Sequence, residues 1–162
     1  MIKILLPFDG SNGSLAAIDD LRVAGLPPGG VEVRVVTVAE FVFPATMTYV
    51  GEPGRLASEA VTTDPFTPDP FAPERMHEMG RYALAAAEMT AADGKARIEQ
   101  LFGEWHVRAE ARFGSPATTI LEIANRWSPD LLVIGSHGRS ALGRFFMGSV
   151  SMRVASEAPC SV

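Results

Sequence analysis

An apolar run, Leu131-Leu132-Val133-Ile134, leads directly into a glycine series, and this junction limits what the chain can fold into more than any other stretch. Four apolar residues without a polar break read as a fully buried strand that ends at Gly135. Beyond it, Gly138, Gly148 and Ser149 complete the spacing G-x2-G-x9-G-S. Glycine tolerates positive φ and lets a ligand approach the main chain closely. Ser149 and Ser151 place hydroxyls where a new helix begins, and a helix start offers unpaired N–H groups at the positive end of its dipole. A buried strand, a glycine turn and a helix start together make an anion site, and phosphate is its natural occupant.

The rest of the chain supplies a frame for that junction. Ile2–Leu6 reads as a first strand, closed by Pro7-Phe8-Asp9-Gly10. Ser11 or Ser14 can cap a helix whose inner face is Ala17, Ile18, Leu21 and Ala24. Val31 to Val38, dense in β-branched residues, is a second strand. A helix from Pro73 to about Phe102 is rich in good helix formers, with Asp93-Gly94 as a candidate kink. Met76, Met79, Ala83, Ala86 and Met89 lie along one of its faces and read as core packing. Trp105–Phe113 alternates apolar and charged residues, as a strand near a sheet edge does. Ser115 and Pro116 open a further helix with Ile120, Leu121, Ala124 and Trp127 inward. The order β-α-β-loop-α-β-α-β-α predicts an α/β sandwich with a parallel sheet.

Residues 39–72 break this rhythm. Six of the twelve prolines fall between Pro44 and Pro73, with Phe41, Phe43, Tyr49, Phe66 and Phe71 scattered among them. So long a connection reads as a lid over a ligand, a protein-binding segment, or a surface insertion without chemistry.

Composition excludes several classes. A net charge of -5 argues against a nucleic-acid surface. No apolar run reaches the ~18 residues of a membrane span, and the start MIKILLPFDG has no signal-peptide core, so a cytoplasmic location is expected. A single cysteine, Cys160, leaves no internal disulfide and no cysteine-based zinc site. His77 and His106 lack the spacing of a metal pair.

In a parallel sheet, ligands sit beyond the C-terminal strand ends where strand order reverses. That rule brings Pro7 and Asp9, at the end of the first strand, beside Gly135. Gly135, Gly138, Gly148 and Ser149 then cradle phosphate. Arg139 and Arg144 either add guanidinium charge to it or lie solvated at the surface. Asp9 can accept a hydrogen bond from a base or ribose, cap the following helix, or do both. His137, between two cradle glycines, reads as a phosphate contact or an exposed loop histidine. There is no G-x4-G-K-S/T, no G-x-G-x-x-G after the first strand and no G-x-S-x-G. No general base is placed to activate water, so no catalytic residue and no metal ligand are assigned, and a bound nucleotide would be turned over slowly or not at all.

With ILLPFDGS at its start and GSHGRSALGRFFMGSVS near its end, the chain resembles the universal stress protein (UspA-like) family, in its ATP-binding branch. The resemblance implies one domain over residues 1–162, interrupted by the proline-rich insertion at about 39–72. It implies a three-layer, Rossmann-like sandwich of the adenine nucleotide alpha hydrolase-like type, with a five-stranded parallel sheet in order 3-2-1-4-5. The fifth strand would be starting at Cys160-Ser161-Val162. It implies adenine near Pro7, Asp9 and the backbone at Val38, and ribose and phosphates of ATP, ADP or AMP against Gly135, Gly138, Gly148, Ser149 and Val150, with Mg2+ or Mn2+. A homodimer and a role in nucleotide-dependent stress adaptation follow from the same resemblance. Two other readings stand beside it: a slow ATPase or autophosphorylating protein with Ser149, Ser151 or His137 as acceptor, and an interaction module with a vestigial pocket that binds a protein partner through residues 39–72.

Overall fold

The computed structural model describes residues 1–40, 73–136 and 147–162. Of the proline-rich insertion, residues 41–72, with its aromatics and the lid and partner-binding readings attached to it, lie outside the described residues, while Ala39 closes the second strand. The elements run β1 (Ile2–Pro7), α1 (Asn12–Asp20), β2 (Val31–Ala39), α2 (Pro73–Leu101), β3 (His106–Phe113), α3 (Pro116–Trp127), β4 (Leu131–Leu132) and α4 (Ser149–Glu157). The strands form one parallel sheet in the order β3-β2-β1-β4.

Two hydrophobic layers make the sandwich. On one face Ile4, Leu6, Val31, Val33, Val35 and Val107 pack against Ile18 and Leu21 at α1 and Ile98 of α2. On the other, Leu5, Val36 and Leu132 meet Ala117, Ile120, Leu121 and Ala124 of α3 and Val154 of α4. Each fully buried large side chain here stabilises the fold by about 1.5–3 kcal/mol relative to exposure. The alternation along β1 sends Ile4 and Leu6 to one layer and Leu5 to the other, as the two-residue period of a strand requires.

Among the described residues the sheet has four strands, and the place expected for a fifth holds a single bridge. Ser161 pairs in parallel with Leu131, and its carbonyl accepts from the Leu132 N–H at 2.8 Å. β4 itself spans two residues where the apolar run suggested four. Val133 N–H still donates to the Leu5 carbonyl at 2.9 Å. Alternate residues of a parallel strand bond to a given neighbour, so the next partner on that edge of β1 is Pro7, which has no N–H to give.

α2 differs from its sequence reading in two ways. It runs unbroken through Asp93-Gly94 from Pro73 to Leu101. Its buried face is Ala87, Ala91, Gly94 and Ile98, whereas Met79 and Met89 are 43% and 72% exposed. The helix lies on the sheet through its smallest residues. A methyl group on Gly94 would stand 2.8 Å from Cδ1 of Phe8 and 3.1 Å from Cγ1 of Val35. Close approach selects glycine there, and the bulkier methionines point elsewhere.

Elsewhere the differences are small. α1 ends at Asp20, so Ala24 falls in the following turn and is exposed. β3 forms the outer edge, as its alternation indicated. Val107 is buried, while Ala109 and Phe113, expected on the covered face, are exposed.

Candidate functional site

The first half of the site is the turn from β1 into α1. β1 ends at the buried Pro7, and Phe8 N–H donates to the Val36 carbonyl at 2.8 Å. The buried Thr37 hydroxyl donates to the Phe8 carbonyl at 2.6 Å. These bonds hold the first two strands in register up to the point where the chain turns, and Val38, partly buried, lies just beyond on β2. Gly10 turns the chain with φ of 75°. Asp9 accepts from the Ser11 N–H through Oδ1 at 3.0 Å. The helix cap itself is Ser11, whose hydroxyl oxygen accepts from Ser14 N–H at 3.2 Å. Of the readings open for Asp9, direct capping of the helix is therefore corrected. The carboxylate braces the turn one step earlier, where a charge-assisted bond is stronger than a neutral one.

The second half arrives from β4. Gly135 lies against the first turn of α1: a methyl group there would come within 2.4 Å of the Gly13 carbonyl carbon and 2.8 Å of the Ser14 nitrogen. The chain next reaches Ser136, whose carbonyl accepts from Gly148 N–H at 2.7 Å and from the Ser151 hydroxyl at 3.0 Å. Residues 136 and 148 are thereby clasped together, and the start of α4 is brought to the end of β4. Gly148 is the N-cap of α4 and provides no side-chain cap. The first N–H groups of α4, at Ser149 and Val150, thus lack the side-chain acceptor that Ser11 gives to α1.

Glycine's role in this cradle differs from the one its spacing suggested. Neither Gly135 nor Gly148 has positive φ, and Gly148 sits at φ -62° and ψ 153°. Gly135 is required by contact with Gly13, not by backbone strain. Ser151 also departs from expectation. It is 3% exposed, and its hydroxyl spans the Ser136 and Gly148 carbonyls at 3.0 and 3.1 Å, so it braces the helix start and is not presented as a phosphate acceptor.

Of the expected nucleotide contacts, Pro7, Asp9, Val38, Gly135, Gly148, Ser149 and Val150 gather at the C-terminal end of the sheet and the adjoining starts of α1 and α4. Gly138 and Arg139, with Arg144 and His137, lie outside the described residues. Three contributors were not singled out from sequence: Gly13, Thr37 and Ser136. Gly13 carried a signal, since glycine is a poor residue for the first turn of a helix unless something must come close. Thr37 and Ser136 act through bonds that no spacing announces. Among the described residues, no group of three or more His, Cys, Asp or Glu side chains is arranged as a metal site, and no helix is long and apolar enough to cross a membrane.

A separate cleft of about 180 Å3 lies between β2, β3 and α3, with Arg34, Arg112, Arg126, Glu110 and Glu122 around it. Its charges are largely matched internally: Arg112 to Glu110 at 2.7 Å and Arg126 to Glu122 at 3.0 Å. Arg34 stacks over the Trp127 ring at 4.3 Å and lies 3.8 Å from Glu110.

A parallel sheet covered on both faces, with glycine-lined helix starts meeting beyond its C-terminal edge, defines an α/β protein of the Rossmann-like class. The sequence model of the universal stress protein family matches residues 56–162. A universal stress protein of Methanocaldococcus jannaschii is 30% identical over 163 residues, covering 99% of this chain and 79% of the relative. The solved UspA of Lactobacillus plantarum has a TM-score of 0.70 at 20% identity, covering 99% of this chain and 94% of that one. A universal stress protein family member from Arabidopsis thaliana, solved with AMP bound, has a TM-score of 0.56 at 14% identity, covering 100% of this chain and 89% of that one. This chain belongs to the universal stress protein family.

Proposed function

We propose that this protein binds an adenine nucleotide, ATP in the first instance, and works as a nucleotide-dependent regulator in stress adaptation. The observation that carries the reading is the uncapped start of α4, held at the end of β4 by the bond from Gly148 N–H to the Ser136 carbonyl at 2.7 Å. Free N–H groups at a helix start favour an anion by both hydrogen bonding and dipole. AMP bound to the Arabidopsis relative supports the choice of nucleotide.

In this reading Pro7, the Asp9 carboxylate and the backbone at Val38 receive adenine and ribose. Gly135, Gly148, Ser149 and Val150 take the phosphates, with Gly138 and Arg139 completing the cradle. Mg2+ or Mn2+ would enter with the phosphates, which supply the oxygens such hard cations require. A homodimer in the cytoplasm is the working form we propose.

Isothermal titration with ATP, ADP and AMP in the presence of Mg2+ tests the reading. Saturable one-to-one binding supports it. An absence of heat and of protection against thermal unfolding, at nucleotide concentrations up to about 1 mM, overturns it.

A further inference from the structure

The outward face of α2 has no role in the nucleotide site. Met79 is 43% exposed, Tyr82 73% and Met89 72%, on a helix whose core face is Ala87, Ala91, Gly94 and Ile98. With the exposed Ala86, these residues follow the spacing 79-82-86-89. Steps of three, four and three residues make a continuous seam along one side of a helix, as in a coiled coil. Single exposed apolar residues need no explanation, but an aligned row of them marks a contact surface.

Charge closes the seam at both ends. Arg75 continues it one step before Met79, and Asp93 one step after Met89. Both are exposed, and neither pairs with any described residue, whereas nearby Lys95 and Arg97 are engaged by Glu99 and Asp19. The arrangement is self-complementary. Arg75 and Asp93, Met79 and Met89, and Tyr82 and Ala86 are three pairs, each equidistant in sequence from Leu84.

We propose that a second copy of this chain docks on this face, α2 against α2 and antiparallel, about a two-fold axis level with Leu84. Each Arg75 then faces Asp93 of the other copy, Met79 faces Met89, and the large Tyr82 fits over the small Ala86. The same pairings recur on both sides of the axis, as an isologous interface requires. A parallel arrangement sets Arg75 against Arg75 and Asp93 against Asp93, and like charges oppose it. The contact runs from residue 75 to 93, about 27 Å of helix at 1.5 Å per residue. It requires no bound nucleotide and leaves the edge of β4 free.

Cross-linking tests both the surface and its direction. Met79→Cys and Met89→Cys are made separately in a Cys160→Ser background, one carrying a mass tag, then mixed and oxidised. The interface yields the tagged 79–89 disulfide in clear excess over 79–79 and 89–89. Sedimentation adds the charge test. Arg75→Asp weakens the dimer by about tenfold or more, and adding Asp93→Arg in the same chain restores it. The substituted side chains are exposed, and an unchanged melting temperature verifies the fold of each variant. A protein that stays monomeric at about 100 μM overturns the proposal. So does a dimer without the 79–89 product, which would assign self-association to another face while leaving the homodimer itself standing.

Discussion

The Cα of Gly135 faces the carbonyl of Gly13 so closely that a methyl group on Gly135 would lie 2.4 Å from the Gly13 carbonyl carbon and 2.6 Å from its oxygen. Backbone meets backbone here, so no side chain can swing aside. Gly135→Ala must push the end of β4 away from the first turn of α1, and overpacking of this kind costs about 1–3 kcal/mol. Urea unfolding of the variant should show a lower midpoint with an unchanged slope. Because the same contact aligns the two halves of the cradle, nucleotide affinity should fall with it. Wild-type stability in Gly135→Ala would mean that the strand end yields freely.

Gly94 offers a second case in which a rule of thumb points the wrong way. An exposed mid-helix Gly→Ala change gains about 0.5–1 kcal/mol through helix propensity. At Gly94 the added methyl would lie 2.8 Å from the Phe8 ring and 3.1 Å from Val35. Gly94→Ala should therefore destabilise the protein, by about 1 kcal/mol or more once α2 has shifted outward. Gly80, where nothing lies within 4 Å of the added carbon, is the control and should be stabilised by the same substitution. Thermal melts of the two variants should move in opposite directions.

Ser151 carries a similar test for the helix start. Its hydroxyl is buried and spans two carbonyls. Ser151→Ala should lower stability by about 1 kcal/mol, the usual net value of such a bond. The loss is limited because Ser136 retains its bond from Gly148. Incubation with labelled ATP should leave this position unlabelled in the wild-type protein.

The frame of this fold was legible because its signals are local. Val31, Val33 and Val35 announce a strand by residue type, and Ser115-Pro116 announces a helix by its cap and first turn. The candidate site drew its outline from G-x2-G-x9-G-S directly after a buried strand, and of that motif Gly135, Gly148 and Ser149 are among the described residues. What escaped depends on contacts between distant residues. Nothing near Gly94 in sequence reveals Phe8 above it, so the glycine read as a kink and not as a packing surface. The methionines of α2 read as core because apolar spacing alone does not say which of two apolar faces meets the sheet. The shortness of β4 is set by Pro7, 124 residues before Leu131, through a missing N–H.

Cys160 gives a prediction with a defined sign. Burial pushes its thiol up from the ordinary range, and the Asp130 carboxylate adds to the shift. A raised thiol pKa leaves little thiolate near neutral pH, so iodoacetamide should modify the folded protein more slowly than the urea-unfolded chain. Asp130→Asn should bring the rate part of the way back. For stability, the thiol's contribution is complete below the unfolded value of about 8.5 and is lost as pH rises through the higher folded value. Unfolding midpoints of wild type and Cys160→Ser should accordingly diverge above that pH.

Gly148 separates folding from binding. Its φ of -62° and ψ of 153° are open to any L-residue, so Gly148→Val introduces no strain from a left-handed backbone. Gly135→Ala, by contrast, damages the frame. The valine methyls would project over the first turn of α4, where Ser149 and Val150 offer their N–H groups, and occupy the volume a phosphate needs. The melting temperature should stay within a few degrees of wild type, while ATP affinity measured by titration falls by about tenfold or more, equivalent to 1.4 kcal/mol. AMP, with one phosphate instead of three, should lose less than ATP if the crowding is at the outer phosphates and as much if it is at the α-phosphate. A folded Gly148→Val protein with wild-type affinity for both would remove the start of α4 from the binding site.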